Sequence, residues 1–357
     1  MQKHRLPHIR TVCTLALLLA LGAPLAHAGF DEGHAAYQRG DYATALKELN
    51  PLAHAGDAAA QTAMGVLYTT GHGVPQDNKQ AVLWYRKAAE QGFADAQNAL
   101  ANMYANGYGV AKDDKQAVLW YRKAAEQGHA NAQFNLALMY ANGRGVAKDD
   151  AQVVHWLHKA AALGHAKAQF NLAVIYEDKR SPAHDDKQAA LWFGKAAEQG
   201  DTKAQFNLAM MYGDGRGVAK DDKQAVAWLR KAAEQGDIKA QNNLGLKYIN
   251  GQGVEKNEPQ AMFWFLKAAE QGDAIAQNNV GVMYADGIGV DKNDKHAVLW
   301  FRKSAEQGYV AAQNKLALMY ASGQGVTANT KQSIFWLRKA AEQGDSQAKT
   351  LLHQLGY

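Results

Sequence analysis

Cysteine is almost missing from this sequence. The 357-residue chain carries one, Cys13, at the start of an apolar run instead of after it, so it does not occupy a lipoprotein acylation site. That run, Val12 to Leu21, is preceded by Lys3, Arg5 and Arg10 and followed by Ala26-His27-Ala28, an A-x-A cleavage site before Gly29. It is too short to span a membrane as a permanent helix. Residues 1–28 therefore read as a secretory leader, and the rest as an exported chain, periplasmic or secreted, with no membrane anchor. A mature chain without cysteine needs no oxidative folding, although export would place it where disulfides form. Loss of the three basic leader residues takes the formal net charge from +5 to +2. That removes the main support for bulk attraction to nucleic acid or anionic lipid, and no nucleic-acid partner is expected.

Signatures of chemistry are missing too. No Gly-x-Ser-x-Gly, phosphate loop or dinucleotide fingerprint occurs, and the Gly-x-Gly loops lack the preceding strand that phosphate binding requires. Nearly all carboxylates are accounted for as helix caps or outer-face charges, which leaves no catalytic pair. His155, His158 and His165 cluster, and His155-x-x-His158 sets two imidazoles within reach of one helical face. A metal site needs a third ligand and a supporting shell, so these read as surface or packing histidines. The expectation is a protein that is not an enzyme, with no catalytic residue, no metal and no cofactor.

What the sequence does have is repetition. Trp84, Trp120, Trp156, Trp192, Trp228, Trp264, Trp300 and Trp336 follow one another at a constant step of 36 residues. Tyr68 to Tyr320, Gly92 to Gly344 and the pair Ala60-Gln61 to Ala312-Gln313 keep the same step. A fixed period of this length is the signature of a solenoid and overrides the two or three domains that length alone suggests.

One unit, Phe93 to Gly128, shows the local logic. Ala96, Leu100, Met103 and Tyr104 fall at i, i+4, i+7 and i+8, one apolar stripe of a helix, here called helix A. Gly107-Tyr108-Gly109-Val110 interrupts it with glycines that tolerate positive φ. Ala117, Trp120, Tyr121, Ala124 and Ala125 form a second stripe, helix B. Asp77, Asp113, Asp149, Asp185, Asp221, Asn257, Asn293 and Asn329 stand where helix B needs an N-cap, and Gly92 and Gly128 where it ends. Asp57, Asp201, Asp237 and Asp273 are placed to cap helix A. Small residues let A and B approach, while Trp120 and Tyr104 fill the wider gaps between units.

The register divides the chain into the leader 1–28, a degenerate N-terminal capping repeat 29–56, eight repeats over 57–344 and a C-terminal capping helix over 345–357. In the opening unit Glu48 replaces the tryptophan, and Pro51 is expected to kink or break the second helix. In the fourth unit Lys179-Arg180-Ser181-Pro182 replaces the Gly-x-Gly-Val loop without changing its length, so the chain must turn there by another route.

The pattern in Ala94 to Gly128, A-x-A-Q-x-x-L-A-x-M-Y-x-x-G-x-G-V-x-x-D-x-x-x-A-x-x-W-Y-x-K-A-A-E-Q-G, resembles the Sel-one-like repeat (SLR), a relative of the tetratricopeptide repeat. The resemblance implies an all-α fold, a right-handed α/α superhelical solenoid of eight helix-turn-helix repeats with end caps. It also implies a scaffold or adaptor that mediates protein–protein interactions, often exported in bacteria. A cysteine-rich branch resembles β-lactam-binding proteins and carries a disulfide in each unit. This chain has none of those cysteines, and a β-lactam- or cell-wall-binding protein or hydrolase is the alternative expectation.

Binding in such a rod falls to residues outside the packing register. On a helical wheel of helix A the registers of Asn98 and Asn102, with Phe134, Phe170, Phe206, Leu138, Val174 and Met210, are expected to be buried against a neighbouring unit. A polar stripe remains, holding Lys167, Lys203 and Lys239 in one register, Asn135, Asn171, Asn207, Asn243 and Asn279 in a second, and Asn142, Asp178, Asp214, Asn250 and Asp286 in a third. Helix A lines the concave face in tetratricopeptide-like rods, so the stripe is expected to floor a groove. Asparagine amides both donate and accept, which suits the backbone of an extended peptide; they equally suit nearby backbone of the repeat itself. The expected partner is a protein or peptide, cell-wall-associated ones included. Arg144, Arg180 and Arg216 occupy equivalent loop positions as a candidate basic edge, and Arg86-Lys87-x-x-Glu90 reads as a solvated outer face.

Overall fold

The computed structural model describes the backbone from residue 24 and side chains from residue 29. Apart from the backbone of 24–28, the expected leader over residues 1–28, with Cys13, lies outside the described residues. The described chain holds 19 helices and no strand. It divides into two compact units, up to Gln127 and from Gly128 onward.

The first unit contains α1 (Pro24–Gln38), α2 (Tyr42–His54), α3 (Ala58–Thr70), α4 (Asn78–Glu90), α5 (Ala94–Asn106) and α6 (Asp114–Glu126). The second begins with α7 (Ala130–Asn142), α8 (Asp150–Ala162), α9 (Ala166–Glu177), α10 (Asp186–Glu198), α11 (Thr202–Asp214) and α12 (Asp222–Glu234). It continues with α13 (Ile238–Asn250), α14 (Glu258–Glu270), α15 (Ala274–Asp286), α16 (Asp294–Glu306), α17 (Val310–Ser322), α18 (Thr330–Glu342) and α19 (Ser346–Gln354). From α3 onward odd-numbered helices are A and even-numbered ones B. Within each unit every helix packs on the next in sequence, as short connections require.

The caps form as the side chains dictate. Asp113 accepts hydrogen bonds from the Lys115 and Gln116 amides at 2.9 and 3.0 Å, which satisfies donors of the first turn of α6 that have no intrahelical partner. Asp57, Asp201, Asp237 and Asp273 cap helix A in the same manner. Two histidines take that role where the aspartate is absent, with Nδ1 of His129 and His165 accepting from the Ala132 and Ala168 amides at 3.1 Å.

Helix A ends on a left-handed glycine such as Gly107 (φ 74°). The second loop glycine has a further reason to lack a side chain. A Cβ on Gly217 (φ 67°) would lie 1.9 Å from the Asp186 carbonyl oxygen, so this loop rests directly on the first turn of the preceding helix B. The fourth repeat turns differently, as its glycine-free loop requires. There α9 ends at Glu177, Asp178 is extended (φ −68°, ψ 109°), and its Oδ1 accepts from the Arg180 amide at 2.9 Å. The Ser181 amide donates to the Asp178 carbonyl at 2.9 Å, and His184 Nδ1 donates to the Tyr176 carbonyl at 2.9 Å. Side-chain-to-backbone bonds thus replace the conformational freedom of glycine.

Of the kink or break expected at Pro51, the break does not occur; α2 runs through it to His54. The proline is exposed and only one turn from the helix end, so the carbonyl that loses its donor faces water.

Tryptophans knit successive repeats. Trp84 shares a buried cluster with Leu49 and Ala53 of the preceding pair and Leu67 of its own, and Trp264 one with Leu229 of the preceding pair and Leu244 of its own. A polar ladder runs beside this core. In seven of the eight repeats a buried helix-A glutamine accepts at Oε1 from the last glutamine of its own repeat, Gln97 from Gln127 and Gln205 from Gln235 among them. The same glutamine donates back to the preceding helix B, as Gln205 Nε2 does to the Ala197 carbonyl at 3.1 Å. In the third repeat Leu163 stands where the others have the donor.

Candidate functional site

Each helix A of the second unit is tied down by the caps and core described above, and this fixes which residues remain on its open face. Ala204, Gln205, Leu208, Ala209 and Met211 of α11 are buried, for example, while Lys203 is exposed and Asn207 half-buried. Lys203, Asn207 and Met210 lie at i, i+4 and i+7, one line along the helix. The equivalent lines are Lys167, Asn171 and Val174 on α9, and Lys239, Asn243 and Leu246 on α13. Side by side, the three helices present a lysine row, an asparagine row and an apolar row.

The asparagines are not equivalent. All five, Asn135, Asn171, Asn207, Asn243 and Asn279, are half-buried. Asn243 Nδ2 donates to the Lys239 carbonyl of its own helix at 2.8 Å, and Asn279 Nδ2 to Asn242 Oδ1 of the preceding helix A at 3.1 Å. Asn171 and Asn207 make no side-chain hydrogen bond with the described residues. Lys167, Lys203 and Lys239 are exposed, and none lies within ion-pair distance of a described carboxylate. The amide row therefore combines two members engaged in structure with two whose donors and acceptors meet solvent.

The apolar row corrects the wheel. The Asn98 register is half-buried at its phenylalanines, with Phe134 stacked on His165 at 4.6 Å and Phe170 against Phe193 of its own repeat at 5.8 Å. The Asn102 register is only partly covered, with Met210 and Val282 half-buried and four members open. Leu138, Val174, Leu246 and Leu318 are 37, 40, 40 and 47% exposed. Contact with the following helix B reaches this turn in places, as where the Tyr121 hydroxyl donates to Asn102 Oδ1, but leaves Leu138, Val174, Leu246 and Leu318 open.

The loop arginines do not form a free basic edge. Arg180 makes a bidentate pair with Asp178, Nε to Oδ1 and NH2 to Oδ2, both 3.1 Å, which holds that carboxyl below its ordinary range. Arg216 donates to Glu177 at 2.9 Å and lies 3.6 Å from Asp186, and the bond to Glu177 raises its own pKa. Arg144 is half-buried. The histidine cluster does not converge either. His155 meets the edge of Trp156 at 5.0 Å, His158 that of Trp192 at 5.5 Å, and His165 is a helix cap. Among the described residues no group of three histidine, cysteine or carboxylate side chains could hold a metal, and no helix is long and apolar enough to cross a membrane.

The outer face of helix B proves less plainly solvated than its charges suggest. Lys87 lies over the Trp84 ring at 4.3 Å, and lysines three residues after five further tryptophans do the same between 4.0 and 4.9 Å. Arg86, Arg230 and Arg302 donate to the hydroxyls of Tyr104, Tyr248 and Tyr320 in the next helix A at 2.8, 2.9 and 2.7 Å. The spacing of three after each tryptophan carried that signal in the sequence.

Comparison with known proteins bears on the whole repeat. The Sel1 repeat model matches eight times in succession, over residues 58–93, 94–129, 130–165, 166–201, 202–237, 238–273, 274–309 and 310–345. A solved protective antigen of uropathogenic Escherichia coli strains, displaying an SLR fold, is 40% identical, with a TM-score of 0.80 over 87% of this chain and 67% of that one. A Sel1 repeat protein from Oxalobacter formigenes is 36% identical, with a TM-score of 0.63 over 87% of this chain and 90% of that one. No curated protein matches. With eight matched repeats in 19 helices and no strand among the described residues, the chain belongs to the Sel1 repeat family, an all-α solenoid of helix-turn-helix units.

Proposed function

We propose that this chain is an exported adaptor that holds a segment of a partner protein along the helix-A face of residues 128–357. Sel1 repeat solenoids generally serve as scaffolds for protein–protein interaction. The observation that carries the finer reading is the coincidence of rows on α9, α11 and α13. Half-buried amides, those of Asn171 and Asn207 with no bond to the described residues, run beside half-exposed aliphatic side chains, and a polypeptide satisfies both at once through its backbone and its side chains. The leader-like residues 1–28 support export.

Two experiments test the two halves. A photo-crosslinking amino acid placed at Asn207 should capture a partner in intact cells, whereas the same group at Leu191 on the outer face of α10 should not. Capture from Leu191 alone would place the interaction elsewhere. N-terminal sequencing of the protein recovered outside the cytoplasm should begin at Gly29, and a chain that retains Met1 and stays inside the cell would contradict export.

A further inference from the structure

The three rows on α9, α11 and α13 specify more about an occupant than that it is a polypeptide. Their order across the face is fixed by the i, i+4, i+7 line, with lysine at one edge, asparagine in the middle and an aliphatic side chain at the other edge. The lysines are exposed and lack a described carboxylate partner, so this edge presents three uncompensated positive charges, one per repeat. The opposite edge presents Val174, Met210 and Leu246, of which Val174 and Leu246 are each 40% exposed. Between them the Asn171 and Asn207 amides are unengaged.

The spacing between repeats sets the period of whatever lies across them. Helices A of successive repeats are neighbours, since Asn279 of α15 reaches Asn242 of α13 at 3.1 Å, and packed helices lie about 8–10 Å apart. A β-strand repeats its side-chain direction every two residues, about 6.6–6.8 Å, and falls out of step with that distance. A polyproline II segment repeats every three residues at about 3.1 Å each, roughly 9.3 Å per turn, and has no internal hydrogen bonds, so its backbone groups are open to side-chain amides.

Resting on the adaptor reading above, we infer that the face formed by α9, α11 and α13 recognises an acidic polyproline-II segment of the partner, read three residues per repeat. In each triplet one carboxylate faces Lys167, Lys203 or Lys239, and one aliphatic side chain lies against Val174, Met210 or Leu246. The third residue points to solvent, and the backbone passes over the asparagines. Nine residues span the three repeats. Charge complementarity selects the acidic edge and the three-residue period selects the backbone form.

The test uses the full chain and four fluorescent probes in binding titrations. They are a nine-residue peptide of three Glu-Val-Pro triplets, a scrambled peptide of the same composition without the period, three Lys-Val-Pro triplets, and a short single-stranded oligonucleotide as a generic polyanion. The periodic acidic peptide should bind at least tenfold more tightly than the other three. In the variant Lys167→Glu/Lys203→Glu/Lys239→Glu, checked for an unchanged helical melt, the preference should pass to the lysine peptide. Equal binding of the scrambled peptide would overturn the period, and tight binding of the oligonucleotide would replace the peptide by a nucleic-acid strand. A preference that the triple variant leaves unchanged would remove the lysine row from the site. Should the Asn207 crosslinker capture a partner while the four probes bind alike, this inference fails and the adaptor reading stands; should capture come only from Leu191, both fail.

Discussion

The glutamine ladder gives the most quantitative test of how the repeats are held together. In the fifth repeat Gln205 is buried, its Nε2 donates to the Ala197 carbonyl at 3.1 Å, and its Oε1 accepts from Gln235 Nε2 at 2.8 Å. Gln235 Nε2 also reaches the Gly200 carbonyl at 3.2 Å, so one exposed side chain at the end of helix B serves two acceptors. Gln235→Leu mimics the residue naturally present at position 163 and removes the donor while leaving the buried acceptor in place. A buried polar atom left unsatisfied costs about 1–3 kcal/mol, more than the net value of the bond itself. Repeat arrays need not unfold as one body, so the readout is native-state hydrogen exchange resolved by helix. Amides of α11 to α13 should exchange about 5- to 150-fold faster, the factor that corresponds to that loss, while α16 to α18 stay as they were. Replacing both partners, Gln205→Leu with Gln235→Leu, should cost less than the sum of the two single changes, because neither orphan of the pair remains. Exchange in Gln235→Leu within twofold of the parent would refute the idea that the ladder carries stability.

Other consequences are as specific. Trp192→Ala, at a ring packed against His158 and covered by Lys195 at 4.3 Å, should cost about 3–5 kcal/mol and open exchange around the fourth repeat first; uniform protection across the array would contradict this. Gly217→Ala should destabilise more than Gly236→Ala in urea melts, since both have positive φ but a methyl on Gly217 would meet the Asp186 carbonyl at 1.9 Å whereas Gly236 has nothing within 4 Å; equal costs would show the loop to be free to shift. Burial holds the His165 imidazole below its ordinary value of 6.5, so the folded chain binds that proton less readily than the unfolded one. The stability this gives is present above about 6.5 and is lost as pH falls from there through the lowered folded value. His165→Asp, which restores the aspartate cap of other repeats, should flatten the difference between melts at pH 7.5 and pH 5.5, and an unchanged difference would assign the acid sensitivity to other groups.

The fold was open to reading because every signal recurred. A single Asp113 before an apolar stripe is a weak sign of a helix start, but eight such side chains at one step leave little freedom. The candidate face was harder to read for a physical reason. A helical wheel gives directions and not the extent of the neighbour, so it grouped Leu138 and Val174 with the half-buried Phe134 and Phe170, although one turn along the helix takes them past the packed surface. Arg180 and Arg216 looked alike by register; their carboxylate partners Asp178, Glu177 and Asp186 lie in the irregular fourth loop or beside it, where the repeat pattern gives no guidance. The cation–π pairs and the Gln97–Gln127 type of bond join residues whose spacing is visible in the sequence. Their geometry depends on how helix B sits against its neighbours.

The central claim is that the helix-A face of residues 128–357 binds a partner through its amide row. The most direct test replaces Asn171 and Asn207, the two unengaged amides, together by Ala and measures affinity for the protein captured through Asn207, beside circular dichroism melts of both forms. At roughly 0.5–1.5 kcal/mol per hydrogen bond, the account predicts affinity lower by about one to two orders of magnitude with a melting temperature close to the parent's. An unchanged affinity in a well-folded double variant, or a binding defect that merely follows a lost melting temperature, would contradict it.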